Sequence, residues 1–153
     1  MRNKRKLMIE QLDKELMPFL KTKEVLLPDR GWINTIRTTL NMTMAQLGKK
    51  LNITRQGVKK IEDSESNGTI TINSIREVAN AMEMKLVYAI VPKDGSIDDF
   101  IQSKSEKLAQ KIVLRTHQNM RLENQGIADE RIRESIKDLA SEIKRELRKS
   151  LWD

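Results

Sequence analysis

Thr43-Met-Ala-Gln-Leu-Gly-Lys-Lys-Leu-Asn-Ile-Thr-Arg-Gln-Gly-Val-Lys-Lys-Ile-Glu62 is the stretch whose reading decides the fold. Thr43 followed by Gln46 is a capping box, in which a hydroxyl and an amide satisfy free backbone groups at a helix start. Thr54 stands where a second N-cap hydroxyl is needed. Leu47 and Leu51 in the first helix, with Val58 and Ile61 in the second, recur at helical steps and form the inward faces. Gly48 faces the crossing point, where bulk beyond a methyl would push the second helix away. Asn52 occupies a turn that needs left-handed backbone. These requirements are independent, and together they fit a helix-turn-helix.

Fixing the inward side also fixes the outward one. Arg55 with Lys59, and Gln56 with Lys60, form pairs one turn apart on the outer face of the second helix. In this motif the helix start enters the major groove first. There Arg can grip guanine O6 and N7, and Gln can pair with adenine N6 and N7. Lys49, Lys50 and the Thr43 and Thr54 hydroxyls suit phosphates, which set register rather than sequence. Thr43 to Lys60 holds five cations and no acid. By contrast, residues 93 to 153 are almost balanced, with 13 basic and 12 acidic residues. One such unit contacts few base pairs, so specificity calls for a homodimer on operator DNA, with half-sites about one DNA turn apart.

Outward from this core, the spacing predicts helices over 32 to 40 and 72 to 82, the latter capped by Thr71. Lys85 to Val91 reads as one short β-strand closed by Pro92. Its partner is either Val25-Leu-Leu27 or the equivalent strand of a second subunit. Leu7, Met8, Leu12, Leu16, Phe19 and Leu20 give an N-terminal helical arm that ends near Pro18. Ser96 with Asp99 opens another helix, whose buried side is Ile97, Phe100, Ile101, Leu108, Ile112 and Val113. Gly126 interrupts the pattern. A last helix, about Asp129 to Leu151, carries Ile132, Ile136, Leu139, Ile143 and Leu147 as a stripe that needs a partner within the chain or across a dimer. The expected organisation is mainly α: an arm over 1–30, a DNA-binding domain over 31–92, a helix over 93–126 and an amphipathic helix over 127–153.

Composition supports this class. The 153 residues carry a net charge of +7, and only five aromatic residues and six Gly accompany abundant Lys, Glu and Leu, which points away from sandwiches and barrels. Cysteine is absent, which excludes disulfides and thiol nucleophiles and suits a cytoplasmic protein. Glu10, Asp13 and Glu15 interrupt the stretch after the basic start, so neither a signal-peptide core nor a membrane span is expected. His117 is the only histidine and reads as a helix-surface residue. No Gly-rich phosphate loop or metal-ligand spacing accompanies it, so no catalysis, cofactor or metal is expected. Trp32 and Trp152 read as packing anchors, and Met42, Met44, Met82 and Met84 as core filler.

Gly31-Trp-Ile-Asn-Thr-Ile-Arg37, the helix-turn-helix through Glu62, Asp63 and Gly68-Thr-Ile-Thr71, and Leu86-Val-Tyr-Ala-Ile-Val-Pro92 together resemble the Xre-type antitoxins called mobile mystery protein A, over nearly the whole chain. The resemblance implies an Xre, phage-repressor-like domain encoded beside a Fic-domain toxin. It also implies an antitoxin that represses its own operon and silences an AMP-transferring enzyme. Small Fic antitoxins resemble one another in a helix bearing Ser or Thr, three residues, Glu, then Gly or Asn. Asn119-Met-Arg-Leu-Glu123-Asn124 matches this pattern if Asn119 replaces the hydroxyl residue. Among 13 Glu, only Glu123 has Ser, Thr or Asn four before it and Gly or Asn directly after it. By this resemblance Glu123 pairs with an arginine of the Fic site that would otherwise hold the ATP γ-phosphate, which a bidentate carboxylate–guanidinium pair accomplishes. The alternative is a plain dimeric repressor whose tail merely dimerises.

Overall fold

The computed structural model describes residues 2–118 and 128–153. It is mainly helical, in the order α1 (Arg2–Leu20), α2 (Gly31–Thr39), α3 (Met44–Leu51), α4 (Arg55–Ser66), α5 (Ile72–Ala81), α6 (Ile97–Gln118) and α7 (Ala128–Glu146). Short 3-10 turns follow α1 and α7, at Lys21–Glu24 and Lys149–Trp152. None of the helices among the described residues is long and apolar enough to cross a membrane. Contacts divide the chain into two units, one of residues 23–88 and one of residues 1–22 with 89–153.

The unit of residues 23–88 is built on α2 to α5. Ile33, Leu47, Val58, Val78 and Met82 form its buried centre, with Ile36, Met42, Met44, Leu51, Ile61 and Ile70 packed against it. Capping explains where its helices begin. The Thr43 hydroxyl accepts from Gln46 N at 3.1 Å while the Gln46 side chain accepts from Thr43 N at 2.8 Å. The Thr54 and Thr71 hydroxyls accept from Gly57 N and Ser74 N. α2 starts differently. Its first amides, Trp32 N and Ile33 N, donate to the two carboxylate oxygens of Glu65 at 3.0 and 2.8 Å. That contact explains why α4 runs to Ser66 and not only to Glu62: the extra turn carries the carboxylate that caps α2.

The other unit packs α6 against α7, with α1 alongside α6. Ala109, Ala140, Ile143 and Leu151 are its buried core, so the α7 stripe finds its partner within the chain. The final helix stops at Glu146, short of Leu151. Leu147 takes a left-handed φ of 49°, and the 3-10 turn after it folds Leu151 back into the core. Four amides at the start of α6 are satisfied. Ser96 and Asp99 cap each other reciprocally, and Asp13 of α1 accepts from Ile97 N and Asp98 N. α1 continues through Pro18 to Leu20, past the one intrahelical bond that the proline nitrogen cannot make.

The expected strand over Lys85–Val91 is not formed. Among the described residues there is no strand, and both this run and Val25–Leu27 are free of regular structure. A strand exists only as one member of a pair, and among the described residues no backbone hydrogen bond joins either segment to another part of the chain. Met84 is likewise exposed and not part of the core.

Candidate nucleic-acid interface

α3 and α4 meet through a three-residue turn. Asn52 lies in the left-handed region at φ 55° and ψ 40°, a conformation that Asn tolerates better than other side chains. Ile53 N donates to Gly48 O at 2.9 Å, which closes the turn. A Cβ at Gly48 would stand 2.7 Å from the Ile53 carbonyl oxygen. The constraint on Gly48 is therefore the backbone of the turn and not the facing helix, and it excludes even a methyl.

Burial then sets the orientation of α4. Val58 is fully buried and Glu62 nearly so, one turn further on. Their side of the helix faces the core, and Arg55, Gln56, Lys59 and Lys60 are exposed. Thr43, Lys49, Lys50 and Thr54 are exposed too. Of these eight residues, only the two threonine side chains hold hydrogen bonds, as caps that accept from backbone amides and leave each hydroxyl proton free to donate. Among the described residues, none of the five cations or Gln56 holds an ion pair or side-chain hydrogen bond. The positive charge is thus uncompensated except by exposed Asp63, one turn beyond Lys59. Lys49 and Lys50 occupy the last turn of α3, where the helix dipole favours cations.

Two features of this site are not evident from the motif alone. Asn41 and Gln46 share a shallow depression with Lys49 and Lys50. Because Gln46 uses its carbonyl oxygen in the capping box, its NH2 group remains free as a donor. The second feature lies behind α4. Arg37 and Glu62 are buried together, and Asn34 Nδ2 also donates to Glu62 at 2.9 Å. A charge at position 37 on the Ile33 and Ile36 face, matched by an acid one turn after Val58, is the sequence signal for this pair.

Elsewhere, a groove of about 880 Å³ lies among α1, α6 and α7. Its Lys144 is paired with Asp98 at 2.9 Å, and its Asp13 is engaged by the α6 amides. Trp32 and Trp152 are both partly exposed, and Trp152 stacks on Phe100 with ring centroids 5.8 Å apart. Asn119, Glu123 and Asn124, the residues of the Fic-inhibitory pattern, lie outside the described residues. The chain matches no family model, no curated protein and no solved structure.

Proposed function

We propose that this chain is a sequence-specific operator-binding protein that inserts the start of α4 into the DNA major groove. The observation that carries the reading is the coincidence of two independent facts: the face of α4 turned outward by Val58 and Glu62 is also the uncompensated cationic face. Arg55 and Gln56 read base edges. Lys49, Lys50, Lys59 and Lys60, with the Thr43 and Thr54 hydroxyls, hold phosphates on either side. The residues do this by binding alone, with no catalytic step. Footprinting on the fragment upstream of the chain's own reading frame tests the assignment. Arg55→Ala with Gln56→Ala should abolish the protected site while leaving weak nonspecific binding, and an unchanged footprint would remove those side chains from base reading.

The resemblance to mobile mystery protein A extends this reading to an antitoxin. In that role the protein represses its own operon and blocks the ATP site of a Fic AMP-transferase with Glu123. The sequence pattern at Asn119, Glu123 and Asn124 favours it. Glu123→Gly should then release the partner's AMP transfer with operator affinity intact. Undiminished inhibition by that variant would leave the plain dimeric repressor.

A further inference from the structure

We propose that Lys85–Val91 pairs with the same residues of a second copy as an antiparallel β-ribbon whose two-fold axis passes through Tyr88. This deepens the operator reading, which requires two copies, but it stands on different residues.

The run Leu86-Val-Tyr-Ala-Ile-Val91 is rich in the β-branched and aromatic residues that pack well on a pleated surface. Both of its faces are open: Val87 is 63% exposed, Tyr88 61% and Ile90 90%. Its backbone has no partner among the described residues. Unpaired, apolar backbone of this kind is a template for strand addition. Among the described residues the only other such stretch, Val25–Leu27, has three residues between the turn ending at Glu24 and Pro28. It would cover less than half of the run.

The ends of the run choose the register. Met84 N already donates to Ala79 O at 2.8 Å where α5 ends, and Pro92 has no N–H to donate. Between these stops lie the seven residues 85–91, and their centre is Tyr88. Only a two-fold axis at Tyr88 pairs all seven. Leu86 then faces Ile90 and Tyr88 faces Tyr88 on one side of the ribbon, while Val87 faces Ala89 on the other.

Charge gives the same answer. With the axis at Tyr88, the acid just before the run, Glu83, and the base just after it in the second copy, Lys93, lie beside each other past both ends of the ribbon. Moving the axis to Ala89 sets Lys85 against Lys93 twice. Moving it to Val87 sets Glu83 against Val91 and leaves Lys93 without its acid. Opposite charges across a ribbon stabilise it and like charges destabilise it. A two-stranded ribbon is a small interface, so free copies associate weakly. Two half-sites on one duplex tighten the dimer by raising the effective concentration.

The chain contains no cysteine, so single thiols can be placed at will. In the Tyr88→Cys variant the two thiols face each other across the axis. Their Cα atoms are then about 4.5–5.5 Å apart, within disulfide reach. Val87→Cys and Ala89→Cys place like thiols two residues out of register, about 8 Å apart and beyond that reach. Mild oxidation should therefore cross-link Tyr88→Cys fastest, and should join Val87→Cys to Ala89→Cys in a mixture faster than either to itself. The unmodified chain should sediment as a concentration-dependent dimer. Tyr88→Asp should sediment as a monomer with its helical circular dichroism intact. Equal cross-linking at all three positions, a wild-type monomer, or a dimer that survives Tyr88→Asp would overturn the proposal. So would preferential linkage within one chain carrying Leu26→Cys and Tyr88→Cys, which would assign the run to Val25–Leu27. None of these readouts involves DNA, so a failure of the ribbon and a failure of operator binding are separately visible.

Discussion

Arg37 Nε lies 2.5 Å from Glu62 Oε1, and Arg37 Nη2 lies 3.2 Å from Glu62 Oε2, in a fork that ties α2 to α4 behind the proposed reading face. The two residues are only 6% and 4% exposed. Every Arg37 nitrogen holds a bond, since Nη1 donates to Met42 O at 2.8 Å, and Glu62 accepts a further one from Asn34. Removing one partner leaves the other charge buried and unpaired. Glu62→Ala should therefore cost about 3–5 kcal/mol in urea unfolding. Arg37→Met with Glu62→Leu should recover a large part of that loss, because no charge is left stranded. A Glu62→Ala protein as stable as wild type would show that the pair does not hold the two helices.

The turn between α3 and α4 makes a second test. Gly48→Ala should destabilise by about 1–3 kcal/mol, because its methyl meets backbone that cannot move aside. Gly57→Ala is the contrast. Its Cβ meets only the Ile53 side chain, at 3.3 Å, and Ile53 is partly exposed and free to shift. There the better helix propensity of Ala should leave stability unchanged or raise it by up to about 1 kcal/mol. Thermal unfolding of the two variants, side by side, checks the difference in sign.

Caps separate folding from recognition. Thr54→Ala should lose about 1 kcal/mol through the unsatisfied Gly57 amide. Thr54→Ser, which keeps the oxygen, should be close to wild type. If the Thr54 hydroxyl also donates to a phosphate, the alanine variant should bind all DNA sequences less well by a similar factor and keep its sequence preference. Chemical denaturation and paired titrations on specific and random duplex report the two effects independently.

The start of α6 has a pH signature. Hydrogen bonds from the Ser96 backbone amide and side chain hold the Asp99 carboxyl below its ordinary value of 3.8, with nearby Lys144 acting in the same direction and slight desolvation opposing them. A depressed folded-state value means that the ionised form is favoured by folding. The contribution is fully present above the unfolded value and is lost as pH falls through the folded one. Asp99→Asn should therefore be less stable than wild type at neutral pH, and the gap should close on acidification below about pH 4. A gap constant down to pH 2 would assign the loss to something other than that ionisation.

Local signals carried much of the fold. Thr43, Gln46, Thr54, Thr71, Ser96 and Asp99 each cap as their position in the sequence indicates, since a cap depends on residues within one turn. The helix boundaries that moved were set by distant partners. Glu65 extends α4 because it caps α2, and Leu151 leaves α7 because it completes the α6 and α7 core. The run Lys85–Val91 has strand-forming residues but no strand, because pairing is a property of two segments and local preference supplies only one. At the proposed interface, exposure of the eight residues follows from the apolar pattern of α3 and α4. For the Arg37–Glu62 pair the pattern shows only that each charge stands on an inward face, and that the two faces meet is set by the fold.

The most direct measurement is a titration of the purified protein on two duplexes of equal length, one spanning the region upstream of its own reading frame and one scrambled, across a range of salt concentrations. Operator reading by α4 predicts a preference of about 1,000-fold or more for the first duplex. It also predicts that substituting any one of Lys49, Lys50, Lys59 or Lys60 by Ala flattens the log–log salt slope by about 0.9. Equal affinity for both duplexes, or no binding to either in dilute buffer, would contradict it.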